Sequence, residues 1–114
     1  LGLRVSHVDF AAAAEATADV VISTVPTGAA DPLATALRWP PATVLLDVLY
    51  HPWPTPLAAA AAAAGCRVVS GLDMLLGQAV RQFELFTGVP APVVAMRAAL
   101  TSHRQRQNTH PSWH

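Results

Sequence analysis

The sequence predicts an α/β fold, a short parallel sheet built as a βαβ series. Three observations carry this. Apolar, β-branched runs recur at roughly fifteen- to twenty-five-residue spacing, with helical segments between them. Two of those segments open with a capping residue followed by proline, Asp31-Pro32 and Thr55-Pro56. Polar residues gather at the C-terminal ends of two of these runs, at Asp47 and Tyr50 and, on the helix after Gly71, at Gln78. A strand–helix–strand series of this length closes by right-handed crossovers and gives parallel neighbours.

In chain order, Leu3 to Val8 alternates weakly and is read as a strand. Asp9 is read as the cap of a short helix through Phe10 and Ala11 to Ala18. Asp19 to Val25 is the clearest strand, nearly unbroken and β-branched, and Pro26 ends it. Thr27 to Ala30 is a loop, and Asp31-Pro32 opens a helix through Leu37. Pro40-Pro41 closes that region, because proline cannot continue a helix. The next strand is Thr43 to Leu49, and its Val44-Leu45-Leu46 run suits a strand buried on both faces. Thr55 caps a helix with Pro56 at its first position, Ala58 to Ala64 fill it, and Gly65 stops it. Cys66 to Val69 is the next strand.

The helix from about Leu72 to Thr87 carries two stripes. Leu72, Leu76, Ala79, Phe83 and Phe86 recur at three- and four-residue spacing as a core face. Met74, Gln78, Arg81 and Leu85 form a mixed stripe beside it, of the kind that meets a second surface. Gly88-Val89-Pro90 breaks the helix. A final helix runs from Pro92 to about Ser102 with Val93, Met96 and Leu100 aligned. The polar stretch from Thr101 to His114 has no period and is read as a frayed or disordered tail.

Composition narrows the function classes. Apolar residues make up 53% and charged residues 12%, which excludes a disordered chain and implies more buried surface than a small free domain has. All seven basic residues are arginine and they balance seven acidic ones, so neither nucleic acid nor an anionic membrane is expected as a partner. Cys66 is the single cysteine, which excludes an internal disulfide and suits a reducing compartment. The alanine runs are too short and too weakly hydrophobic for a membrane span. Leu1 stands first in place of methionine, and the chain is expected to begin within a longer protein.

The candidate chemistry lies at the C-terminal ends of the strands, where open α/β sheets bind ligands. Tyr50 is either a half-buried packing residue or a ligand contact. Asp47 is expected to be structural, accepting backbone N–H bonds near the turn, and His51 lies among prolines in a rigid loop. Gly71 is either a plain connector or a point of close backbone approach. Gln78, on a face that is not simply polar, is either solvated or a ligand contact through an amide that both donates and accepts. Asp73 is expected to face solvent or to cap its helix. His7, His51, His103, His110 and His114 form no metal-ligand spacing with Cys66, so no metal is expected. No Gly-x-Ser-x-Gly elbow, Walker motif or G-x-G-x-x-G loop occurs, and every glycine is isolated.

Two motifs together carry a resemblance. DVLYHPWPTPL has the D-x-x-Y-x-P segment before a T-P-L helix, and SGLDMLLGQAVRQFELFTG has the G-L-x-M-L-x-x-Q helix that follows some twenty residues later. In this order and spacing they resemble the C-terminal part of shikimate dehydrogenase, from about Asp19 to Leu100. The resemblance implies the second part of a Rossmann-type NADP-binding domain over residues 1–72, and helices over 73–100 that face a separate N-terminal substrate domain. Residues 101–114 remain the tail. The implied activity is NADP-dependent reduction of 3-dehydroshikimate to shikimate, in chorismate and aromatic amino acid biosynthesis in the cytoplasm. The resemblance implies that Tyr50 and Gln78 bind substrate, and that Thr24, Val25, Val48, Gly71 and Met74 lie on the cofactor side.

The family's lysine–aspartate pair, which assists proton transfer, has no lysine here to supply it, and the glycine loop and the 2′-phosphate arginine segment are likewise not among these residues. The chain alone is therefore expected to be inactive. Ser23 and His51 stand where the family commonly has asparagine, and Asp73 where it has glycine. A quinate-type or NAD-using dehydrogenase is the first alternative, and a non-enzymatic truncated binding module the second. A homodimer is left open.

Overall fold

The computed structural model describes residues 2–109. After a 3-10 helix (Phe10–Glu15) the elements run β1 (Val20–Ser23), α1 (Asp31–Ala36), β2 (Val44–Asp47), α2 (Pro56–Ala63), β3 (Arg67–Ser70), α3 (Gly71–Thr87) and α4 (Val93–Thr109). The chain divides into two compact units, one reaching to Gly71 and one starting at Leu72.

The first unit is the expected βαβ series. Its sheet has the order β1-β2-β3 with both pairs parallel. The register sets Val21, Leu45 and Val68 in one row and Ser23, Asp47 and Ser70 in another, two residues further along the same face. On that face α2 packs against β2, β3 and α1. Leu45, Leu57, Ala58 and Ala61 are almost fully buried there, with Val21, Leu33, Trp39 and Trp53 packed around them. Ala58 and Ala61 have no bulk to hold the helix away, so α2 lies close on Leu45. The opposite face is apolar too, and Val20 and Ile22 at the edge strand are 54% and 60% exposed.

The boundaries of α2 are those its sequence encodes. Thr55 Oγ1 accepts from the Ala58 N–H at 3.1 Å, and Pro56 occupies the first turn, where its missing N–H costs nothing. At the other end Gly65 takes φ +84°. The Gly65 N–H then donates to Ala62 O at 3.0 Å and the Cys66 N–H to Ala61 O at 3.0 Å, which satisfies two carbonyls of the last turn.

Several expectations need correction. Residues 2–9 form no strand, and Val5 is 91% exposed. Weak alternation does not make a strand without a neighbour to take its backbone hydrogen bonds. The helix expected through Ala18 is a 3-10 helix that stops at Glu15, and Asp9 contributes its backbone carbonyl and no side-chain cap. Asp31 is the first residue inside α1 and the cap position is Ala30, so its carboxylate acts on the helix dipole without capping. β1 and β2 are shorter at both ends than read, and β3 is shifted by one residue to end at Ser70.

α3 begins at Gly71, one residue before the expected start, and ends as expected at Thr87, where the Gly88 N–H donates to Glu84 O at 2.9 Å. Leu76 is buried and Leu72, Ala79 and Phe83 are half-buried, as their stripe requires, but Phe86 is 86% exposed. A stripe fixes which side a residue faces and not how far along the axis a partner reaches. α4 continues to Thr109, past the end expected near Ser102. Arg104 to Gln107 favour helix, and no proline intervenes before Pro111. Residues 110–114 of the expected tail lie outside the described residues. No helix of the described residues is long and apolar enough to cross a membrane.

Candidate functional site

The C-terminal rim of the sheet carries a row of three small polar side chains, one per strand. Ser23, Asp47 and Ser70 are 8%, 1% and 8% exposed. A carboxylate so buried requires donors. Asp47 Oδ1 accepts from the Leu49 N–H at 3.1 Å, and Oδ2 accepts from the Thr55 hydroxyl at 2.7 Å. The structural reading of Asp47 therefore holds, and its second partner is one the sequence did not reveal. Thr55 accepts from α2 and donates to Asp47 with a single hydroxyl.

The segment after β2 turns over this carboxylate and presents Val48, Leu49 and Tyr50 at the rim. The Val48 N–H donates to Ser23 O at 3.1 Å, and Leu49 O accepts from the Gly71 N–H at 3.1 Å. Gly71 is buried against this segment. A Cβ there would run into the Val48 carbonyl oxygen, with the Val48 carbonyl carbon 2.7 Å away and Tyr50 Cδ1 3.1 Å away. Gly71 is thus more than a connector. Its close approach is to the Val48 backbone, and no positive φ is involved. The structure brings Val48, Tyr50 and Gly71 together from two strand ends. Tyr50 keeps 40% of its surface exposed, with Cδ1 of its ring beside Gly71.

At the end of β1, Thr24 is exposed and Val25 is half-buried against the core cluster, which commits much of the Val25 side chain to packing. Both line an apolar cleft of about 330 Å³ with Phe10, Val20 and Leu33. On the helix side of the rim a second cleft, of about 260 Å³, is bounded by Ser23, Thr27, Asp31, Asp47, Thr55 and Pro54, among others. Ser23 Oγ is buried and makes no hydrogen bond within the described residues. His51 is exposed in a bend that holds two cis X-Pro bonds, His51-Pro52 and Trp53-Pro54.

Met74 and Gln78 belong to the second unit. Met74 is half-buried and Gln78 exposed. Gln78 lines a groove of about 510 Å³ with Leu75, Gln82, Met96 and Leu100, so it borders apolar surface on two helices. Asp73 is paired with Arg97 of α4 at 3.4 Å, a contact the sequence reading missed. Both side chains are about half exposed, and such a pair contributes roughly 0–1 kcal/mol. Among the described residues no group of three or more His, Cys, Asp or Glu could hold a metal.

The unpartnered Ser23 hydroxyl, the exposed Thr24 and the Val48–Gly71 backbone lie where a parallel sheet receives a ligand. The isolated glycines of this sequence offer no loop for a pyrophosphate.

Known proteins similar to this chain include shikimate dehydrogenases and a quinate dehydrogenase. Residues 71–101 match the family model of the shikimate 5'-dehydrogenase C-terminal domain. A shikimate dehydrogenase (NADP(+)) of Chlorobium phaeobacteroides is 46% identical over 72 residues, 63% of this chain and 24% of that protein. The crystal structure of Mycobacterium tuberculosis shikimate dehydrogenase superposes with a TM-score of 0.67 at 54% identity, over 81% of this chain and 34% of that one. A quinate dehydrogenase from Corynebacterium glutamicum, in complex with NAD, gives 0.61 at 37% identity over 75% of this chain and 31% of that one. The chain spans about a third or less of the length of these relatives. In motif, in sequence and in backbone, it is similar to the C-terminal part of the shikimate dehydrogenases.

Proposed function

We propose that this chain forms one wall of the active site of an NADP-dependent shikimate dehydrogenase, which reduces 3-dehydroshikimate to shikimate in the cytoplasm. The observation that carries the reading is the rim where the Gly71 backbone lies against the Val48 carbonyl with the Tyr50 ring beside it. Glycine is required there, so that the start of α3 can pack against the Val48 carbonyl at the end of the sheet. Val48 and Gly71, with Thr24, Val25 and Met74, are assigned to the cofactor side. NADPH, when bound, supplies the hydride.

The chain's own residues orient. The Tyr50 hydroxyl both donates and accepts, and contacts a hydroxyl or carboxylate of the substrate. The Gln78 amide does the same from α3, which suits a polyhydroxy acid. The resemblance implies that a lysine–aspartate pair on the family's N-terminal substrate domain assists proton transfer to the reduced carbonyl oxygen, and this chain, whose Lys and Arg positions are all arginine, does not supply that lysine. The chain alone is accordingly inactive. A second reading, a quinate dehydrogenase using NAD, is favoured by the similarity to the Corynebacterium glutamicum enzyme.

Kinetics of two chimeras separate the readings. This chain replaces the matching third of the Mycobacterium tuberculosis shikimate dehydrogenase and of the Corynebacterium glutamicum quinate dehydrogenase, and the kcat/KM of each chimera is compared with that of its host. Greater retention in the shikimate dehydrogenase is expected. Greater retention in the quinate dehydrogenase selects the second reading, and folded chimeras without turnover overturn both.

A further inference from the structure

The buried pair Asp47–Thr55 joins two parts of the molecule that the proposed function treats separately. One oxygen of Asp47 holds the Leu49 N–H, in the turn between Val48 and Tyr50. The other holds the Thr55 hydroxyl, which is at the same time the cap of α2. Leu49 in turn receives the Gly71 N–H. A continuous run of hydrogen bonds thus leads from the first turn of α2 to Gly71 and passes beneath Val48 and Tyr50. Asp47 is 1% exposed and Thr55 6%, so neither bond competes with water.

We propose that Asp47 and Thr55 are positioning residues for the rim, setting Val48 and Tyr50 against Gly71 before any ligand arrives. This rests on the reading of the rim as a shikimate dehydrogenase wall, and it goes further in assigning the placement of that wall to a carboxylate and a hydroxyl that touch no ligand. A pair that merely capped α2 would leave the turn indifferent to the hydroxyl.

Three variants separate these roles. Thr55→Val keeps the shape and removes the hydroxyl. Thr55→Gly removes the hydroxyl at a position where glycine is itself a tolerated cap. Thr55→Ser keeps both bonds. Amide hydrogen exchange is read on the 114-residue chain, comparing the Leu49 and Gly71 amides with those of Val44 in the sheet and Cys66 at the end of α2. Selective acceleration at Leu49 and Gly71, tenfold or more, is expected in Thr55→Val and Thr55→Gly, and none in Thr55→Ser. The shikimate dehydrogenase chimera carrying the same changes is expected to lose tenfold or more in kcat/KM for shikimate and several-fold in kcat/KM for NADP, with recovery of both in Thr55→Ser. Exchange that is unchanged or uniformly faster at all four amides overturns the proposal, as does full kcat/KM in a folded Thr55→Gly chimera. If the unsubstituted chimera is inactive, the functional reading fails, and the exchange pattern alone decides the positioning role.

Discussion

Gly71→Ala puts one methyl group where the structure leaves no room. The added Cβ would collide with the Val48 carbonyl oxygen and crowd its carbon at 2.7 Å, with Tyr50 Cδ1 at 3.1 Å. The tyrosine ring can swing aside, but the carbonyl belongs to backbone pinned through Ser23 and Asp47. Forcing a methyl into such a site costs about 1–3 kcal/mol. Against this, alanine favours helix over glycine by about 1 kcal/mol in a helix interior, and less at the first residue of α3. The clash outweighs the propensity, and a net loss of about 1–2 kcal/mol is expected. Urea unfolding followed by tryptophan fluorescence reads this directly, because Trp39 and Trp53 pack against the core of the same unit. With a slope of about 1–3 kcal/mol per molar, the midpoint should fall by roughly 1 M at unchanged slope. In the chimera the same change should lower kcat/KM for both shikimate and NADP, since Val48 and Tyr50 move together. A Gly71→Ala chain as stable as the parent, or more stable, would refute the close approach and return Gly71 to a plain connector.

Thr55→Ala removes the cap of α2 and leaves one oxygen of Asp47 without its donor. Thermal and urea unfolding should show a loss of about 2–3 kcal/mol, above the roughly 1 kcal/mol of a cap alone, and Thr55→Ser should lose under about 0.5 kcal/mol. Gln78→Ala should leave the melting temperature unchanged, because the side chain is exposed, while the chimera loses roughly tenfold in kcat/KM for shikimate. Unaltered kinetics would make Gln78 a surface residue. The purified 114-residue chain should reduce no NADP with shikimate, and turnover that co-purifies with it would contradict the assignment of proton transfer to residues outside it.

The sequence made the sheet legible because β1, β2 and β3 are dense in β-branched and aliphatic residues and the helices between them carry local stop and start signals. α2 is the clearest case, since Thr55, Pro56 and Gly65 each act within their own turn. What failed depends on distance. Leu3 to Val8 alternates as a strand does, but no partner strand reaches it among the described residues. Phe86 sits on the right stripe with nothing packed over it. α4 extends through Arg104 and Gln105 because propensity and the lack of an intervening proline sustain a helix without an apolar period, and a periodicity reading is blind to that. At the rim, the motifs and the strand-end rule single out Tyr50 and Gly71 as candidates. The Asp47–Thr55 bond was not legible, since its partners are eight residues apart across a proline-rich turn whose path no local signal gives. The Gly71–Val48 approach was invisible for the same reason, since it depends on how two parallel strands are paired.

The most direct measurement is a crystal structure of the chimera with NADP and shikimate bound. The nicotinamide is expected against the Val48 and Gly71 backbone, and the Tyr50 hydroxyl within hydrogen-bond distance of shikimate. Both ligands bound with Tyr50 and Gly71 away from them would contradict this.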